Sequence, residues 1–171
     1  MPFTPFHLGP GAAMKAVGGR HFSFMVFGGA QVLIDLEPLV RIFVGTGILH
    51  GPTHSLPGAL VVGAVAALTG KPVSEYVLRL LRIAHQPISW LASCTGAFLG
   101  TFSHVALDAI LHVDMQPWWP LSNTNELLGL VSPRALHLGC LLLAVLGGAV
   151  AAWRLFRQGR DNPAASNAAI D

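Results

Sequence analysis

At 171 residues, 53% of them hydrophobic and 11% charged, with a positive mean hydropathy, the chain is too apolar for a soluble domain of its size. It has room for one helical membrane unit, residues 1–160, and a polar tail, 161–171. A formal net charge of +2, scattered along the chain, excludes a nucleic-acid surface, and Cys94 and Cys140, without CxxC spacing, exclude a cysteine-rich zinc site and read as packing residues.

In chain order, the opening Met1-Pro-Phe-Thr-Pro-Phe-His7-Leu-Gly-Pro-Gly11 is too rich in Pro and Gly for a signal-peptide core. A short helix is expected over Ala12–Val17, ended by Gly18 and Gly19. The run Phe22–Leu49 is long enough to span a bilayer but holds Asp35, Glu37, Pro38 and Arg41. Pro38 disfavours the helical region for Glu37, so the helix is expected to break there, with both carboxylates at the broken end facing a cavity.

Leu49-His-Gly-Pro-Thr-His54-Ser55-Leu-Pro57 reads as a turn feeding a helix, with Thr53 or Ser55 as cap and Pro57 in the first turn. That helix is expected to end near Leu68, before Thr69-Gly70-Lys71-Pro72. A cationic amphipathic helix at the membrane interface should follow, with Lys71, Arg79 and Arg82. Ile88–Leu111 is the next span. Residues 113–134 are turn-rich, and Trp118 and Trp119 suit an aromatic belt. Ala135–Phe156 is an uninterrupted apolar helix ahead of Arg157 and Arg160. The expected fold is therefore all-α, an integral membrane bundle of about four membrane-associated helices plus short interfacial ones. The basic residues Lys15 and Arg20, Lys71 to Arg82, and Arg154 to Arg160 put both termini in the cytoplasm. Gly28-Gly29, Gly96-x-x-x-Gly100 and Gly147-Gly148 read as close helix contacts.

Chemistry concentrates in Ser103-His104-Val-Ala-Leu-Asp108-Ala-Ile-Leu-His112, where residues four apart share one helix face. An Asp in hydrocarbon costs about 2.5–3.5 kcal/mol, so a retained stripe needs a partner, and a metal ion is the natural one. On a regular helix His104 and His112 stand about 12 Å apart along the axis. Either the helix ends before His112 or the stripe serves two ions. Imidazole with carboxylate suits Zn first, with Mn, Fe or Ni as alternatives. An isolated His reads as a polar contact between packed helices; His54, His104 and Asp108 together read as a metal site. His7 reads equally as a ligand from the N-terminal arm or as an interfacial residue.

The set Asp35, His50-Gly-Pro-Thr-His54-Ser55, Gly100-Thr-Phe-Ser-His104-x-x-x-Asp108-x-x-x-His112 and Trp119-Pro-Leu-Ser122, with the Met1–His7 start, resembles the YdjM-type membrane-bound metal-dependent hydrolases over about residues 1–125. More distantly, the order of Asp, His and HxxxD is similar to zinc-dependent phospholipase C. The resemblance implies a helical site for a divalent metal and hydrolysis of a phosphoester such as a lipid head group. His7, Asp35, His50, His54, His104, Asp108 and His112 are the implied ligand positions, and Asp35 or Glu37 would orient the water or take its proton. Three positions depart from the family pattern: Leu49 stands where relatives have His, His50 where they have Arg, and Glu37 replaces an Asp. The competing reading is a non-enzymatic membrane protein that binds or transports metal; no internal repeat supports transport. The bilayer is the expected surrounding, the inner membrane of a prokaryote the expected location, and no nucleic-acid partner is expected.

Overall fold

The computed structural model describes residues 5–45 and 47–161. The first four residues of the opening motif and the polar tail beyond residue 161 lie outside the described residues. Those described are all helix, turn and loop, without a strand. A 3₁₀ turn, Pro5–His7, leads into α1 (Leu8–Gly18), α2 (Phe24–Ile34), α3 (Leu36–Val44), a 3₁₀ turn at Pro52–His54, α4 (Leu56–Leu80), α5 (Trp90–Leu111) and α6 (Pro133–Asp161).

Serine hydroxyls open the three helices of the inner bundle. Ser23 Oγ accepts from Val26 N, Ser55 Oγ from Gly58 N and Ser89 Oγ from Ala92 N, each satisfying an amide that a helix start leaves without a partner. Pro57 lies in the first turn of α4, where its missing N–H costs nothing. Gly45, at φ +77°, closes α3 in the left-handed conformation.

α5 runs between α2 and α4, while α1 packs on α6. Small residues permit this. A Cβ on Gly96 would lie 2.5 Å from Ser23 O, and one on Gly100 3.0 Å from Phe27 O. Gly9 meets the Cys140 carbonyl and Gly147 the Ala12 backbone just as closely, as expected where backbones rather than side chains set the contact distance. Gly28 and Gly29 differ: a Cβ on Gly28 would meet only Leu8 Cδ2 at 3.7 Å, and one on Gly29 nothing within 4 Å. They do not make the expected helix contact.

Three sequence expectations are corrected. Thr69-Gly70-Lys71-Pro72 does not end a helix, and no separate interfacial helix follows; α4 continues through Pro72 for 25 residues. Proline deletes one hydrogen bond, but tertiary contacts offset it. Gly70 seats Val26, and Lys71 Nζ binds Glu75 Oε1 and Ile88 O, both at 2.7 Å. The run Phe22–Leu49 breaks at Asp35 rather than at Glu37, and Pro38 sits in the first turn of α3. The Ala12–Val17 helix extends back to Leu8. Three helices, α4, α5 and the Pro133–Arg154 part of α6, are therefore long and apolar enough to cross a membrane, with α2 half that length.

Buried residues concentrate on α5. Ala97, Gly100, Thr101, His104, Val105, Asp108 and Ala109 face α2 and α4 across one core layer of Val26, Ala30, Ala66 and Ala67 and another of Ile34, Ala59 and Met115. Leu60, Val61 and Leu68 of α4, and Leu138, Leu142, Val145 and Leu146 of α6, point outward and are more than half exposed. That is the pattern of helices solvated by lipid on one side.

Candidate metal centre

Four chain segments deliver the polar side chains to one end of the bundle. Asp35 occupies the joint between α2 and α3, where the backbone stays helical but the hydrogen-bond ladder is interrupted. His54 ends the 3₁₀ turn held under α4 by Ser55, whose Oγ donates to Pro52 O at 2.7 Å and accepts from Gly58 N. His104 and Asp108 lie one turn apart on α5, and His7 arrives from the turn ahead of α1. All five are at most 4% exposed.

Their atoms converge. His104 Nε2 is 3.2 Å from Asp108 Oδ2 and 3.3 Å from Asp35 Oδ1, and His54 Nε2 is 3.8 Å and 3.7 Å from the same oxygens. Asp35, His54, His104 and Asp108 thus form a set whose donor atoms all lie within 4.8 Å of one another. His7 Nε2 approaches Asp108 Oδ1 at 3.4 Å, with its ring edge-on to His104.

The sequence left open whether the helix ends before His112 or the stripe serves two ions. The helix does end there. α5 ends at Leu111, and His112 has extended backbone, φ −113° and ψ 128°. Its ring packs 4.6 Å from that of His50, and His50, Asp108 and His112 form a second set. His50 Nε2 lies 3.7 Å from Asp108 Oδ2 and His112 Nε2 3.8 Å from Asp108 Oδ1. Asp108 is common to both sets.

Each of three histidines has its Nδ1 engaged on the side away from the cluster. His104 Nδ1 faces Gln31 Oε1 at 2.5 Å, His50 Nδ1 faces Asp114 Oδ1 at 2.8 Å, and His54 Nδ1 faces Thr53 Oγ1 at 3.0 Å. The amide oxygen and the carboxylate only accept, so Nδ1 of His104 and of His50 carries the proton. Thr53 spends its hydroxyl proton on Glu37 Oε2 and therefore accepts from His54. In every case Nε2 is left as a lone pair aimed inward, the arrangement by which outer partners fix ligating histidines.

The donor set fits a metal ion. Nε2 of His54, Nε2 of His104 and both ring nitrogens of His7 are buried without a hydrogen-bond partner, a costly condition unless something else satisfies them. Ligand atoms about 2.0–2.2 Å from one tetrahedral ion stand about 3.3–3.6 Å apart, close to the separations among His54, His104, Asp35 and Asp108. Burial lowers the pKa of His54 and that of His7, the latter to about 4, so both are neutral imidazoles at pH 7.

Glu37 is not in either set. It accepts from Thr53 N at 2.9 Å and from Arg41 Nη2 at 2.8 Å, besides the Thr53 hydroxyl. Burial opposes its ionisation, but these bonds outweigh burial and hold its pKa below the usual value. The expectation that Glu37 faces the site alongside Asp35 is corrected: the break at Asp35 turns Glu37 toward the 50–55 turn. Asp114 and Gln31, which the sequence did not single out, carry the other two supports. Asp114 accepts from the His50 and Leu49 amides as well as facing the His50 ring; burial is again outweighed, and its pKa falls to about 2. Gln31 had a signal, as the one amide side chain in the apolar run of α2. Ser103 bonds its own helix, to Gly100 O; His21 and His85 are exposed, His137 is half-buried and stacks on Phe6 at 4.5 Å, and none of the three belongs to either set. Trp118 and Trp119 are partly exposed beyond the end of α5.

Comparison with known proteins gives one finding: the family model described as YdjM inner membrane protein matches residues 24–169. No curated protein and no solved structure matches the chain.

Proposed function

The chain belongs to the YdjM inner membrane protein family, and from that membership together with its buried His/Asp cluster we propose a membrane-embedded, metal-dependent hydrolase acting on a phosphoester, with a lipid head group as the substrate. The observation that carries the reading is the inward convergence of three buried Nε2 atoms and two buried carboxylates. In the proposal, Asp35, His54, His104 and Asp108 hold one cation. His50, His112 and the shared Asp108 hold another, and His7 closes the gap between them. Zinc suits the donor set best, with manganese or iron as alternatives. A cation held there supplies acidity to a coordinated water and polarises the phosphoryl oxygen.

The chain's own groups do the rest. Gln31, Asp114 and the Glu37–Thr53 pair keep His104, His50 and His54 in the ligating tautomer. Asp35, at the joint between α2 and α3, would instead take the proton of the attacking water if the cation is held by His54, His104 and Asp108 without it. Ser23 N donates to Ala92 O, joining the starts of α2 and α5 at the end of the bundle away from the cluster, and Lys15 of α1 and Lys71 of α4 reach that end through Phe22 O and Ile88 O. The Arg154–Arg160 end of α6 is proposed to share that cytoplasmic side, with the cluster toward the outer leaflet.

The test is metal analysis of detergent-purified protein beside His104→Ala, followed by phosphodiester and phospholipid hydrolysis with chelator and metal add-back. Metal loss in the variant and chelator-sensitive turnover are expected. Stoichiometric metal without turnover of any ester, combined with metal flux into proteoliposomes, would establish the transport reading instead.

A further inference from the structure

A cavity of about 410 Å³ opens beside the cluster between α2 and the start of α1. Its walls are apolar: Leu8, Phe24, Met25, Gly28, Gly29 and Val32. Met25, Gly28, Gly29 and Val32 recur at helical spacing and form one stripe of α2, which leads to Asp35 three residues further on. Met25 and Val32 are 41% and 50% exposed, so the cavity opens sideways, across the helix face and not along the bundle axis. The far end is polar, formed by His7, Gln31, Asp35 and His104.

Two observations indicate that this space is built for an occupant. Gly28 and Gly29 lack the close contacts that explain Gly96 and Gly100; their missing side chains keep the groove open. Gln31, 5% exposed, spends its oxygen on His104 and leaves its Nε2 donor without a partner, as His7 leaves both ring nitrogens. A donor stranded at the closed end of an apolar groove calls for an oxygen-bearing group.

We propose that this groove is the subsite for one alkyl chain of a bilayer phospholipid, which enters sideways between α1 and α2 and brings its phosphate to Gln31 and the cluster. The volume of about 410 Å³ suits one chain, and an apolar partner helix would leave the Gln31 Nε2 donor unsatisfied, whereas an alkyl chain ending in a phosphate brings it an oxygen. Ligand sites of about 300–1,000 Å³ are ordinary for small amphiphiles. The inference rests on the metal reading for the head-group end, but the chain subsite stands on the groove alone.

The experiment uses the full-length protein in detergent, loaded with Co²⁺, and follows the visible cobalt spectrum as dodecyl phosphate or butyl phosphate is added. Each buried methylene contributes about fourfold in affinity, so dodecyl phosphate should act at a concentration at least about tenfold lower. Micelle partitioning also favours the longer chain, so the variants Gly28→Phe and Val32→Trp decide. Both should lose about tenfold or more of that advantage, while cobalt content stays intact and butyl phosphate, too short to reach past Gly28, titrates as in the parent protein. The same chain-length ratio in all three proteins would overturn the subsite. Absence of cobalt uptake would refute the metal reading instead. In that event photo-crosslinking of a diazirine-labelled dodecyl phosphate decides the subsite: label on Met25 and Val32 that Gly28→Phe abolishes supports it, and label spread evenly over exposed α4 and α6 refutes it.

Discussion

Asp108→Asn is the substitution with the widest expected effect, because one carboxylate belongs to both sets. Its two oxygens lie 3.2–3.8 Å from the Nε2 atoms of His7, His50, His54, His104 and His112. Zinc in a four-ligand protein site is bound with about 10–16 kcal/mol, or about 2.5–4 kcal/mol per ligand. At 1.4 kcal/mol per tenfold, loss of the carboxylate should weaken binding by about 60- to 700-fold. Asparagine matches aspartate in shape, so packing around Ala109 and Val105 is retained and the loss is one of charge. His112→Ala removes a ligand of the second set alone and should leave the first set's ion in place. Bound metal per chain, measured after dialysis against a graded series of chelators, separates these outcomes: both ions weakened in Asp108→Asn, one in His112→Ala. If Asp108→Asn keeps the parent stoichiometry and chelator resistance, the shared-carboxylate geometry is wrong.

Gln31→Leu leaves the His104 Nδ1–H without its acceptor and should lower metal affinity about 10- to 100-fold, the usual range for loss of an outer partner; competition with a colorimetric chelator reads it. Gly58→Ala places a Cβ 1.9 Å from Pro52 O and 2.7 Å from Thr53 Cα, so the His54 turn must move away from α4. Faster amide exchange over residues 51–55 and loss of metal should appear together, and unchanged metal retention would show that His54 is not positioned by this contact. Asp114 has a depressed folded-state pKa, so its contribution to stability is fully present above the unfolded value near 3.8 and disappears as pH falls toward about 2. Thermal melts of the metal-free protein between pH 5 and pH 2.5 should therefore steepen less with acid in Asp114→Asn than in the parent chain; equal slopes would contradict the Asp114–His50 pairing.

Much of this protein is legible in the sequence because its constraints are local. An apolar run of about twenty residues must become a spanning helix, since the backbone has no other partner in lipid, and α5 and α6 fall where hydropathy puts them. The His104–Asp108 pair was readable for the same reason: four-residue spacing fixes a shared face whatever surrounds it. Serine caps and the Asp35 joint were partly readable, with the break displaced by two residues because proline is tolerated in a first helical turn.

What the sequence alone left open depended on partners distant along the chain. Pro72 looked like an ending because its local cost is visible, whereas the seat of Gly70 on Val26 and the Lys71–Glu75–Ile88 bonds exist only after folding. His7 and His50 were ambiguous as single residues; they join the cluster because α1 and the 50–55 turn are carried to the same end of α5. Glu37 shares its stretch with Asp35, but the turn between α2 and α3 points it elsewhere. The cavity beside α2 has no sequence signature beyond two glycines, which read as a helix contact until the neighbouring backbone proved to be absent. Spacing along one helix is set by covalent geometry. Which helix faces receive partners, and which remain open, is decided by packing of the whole bundle.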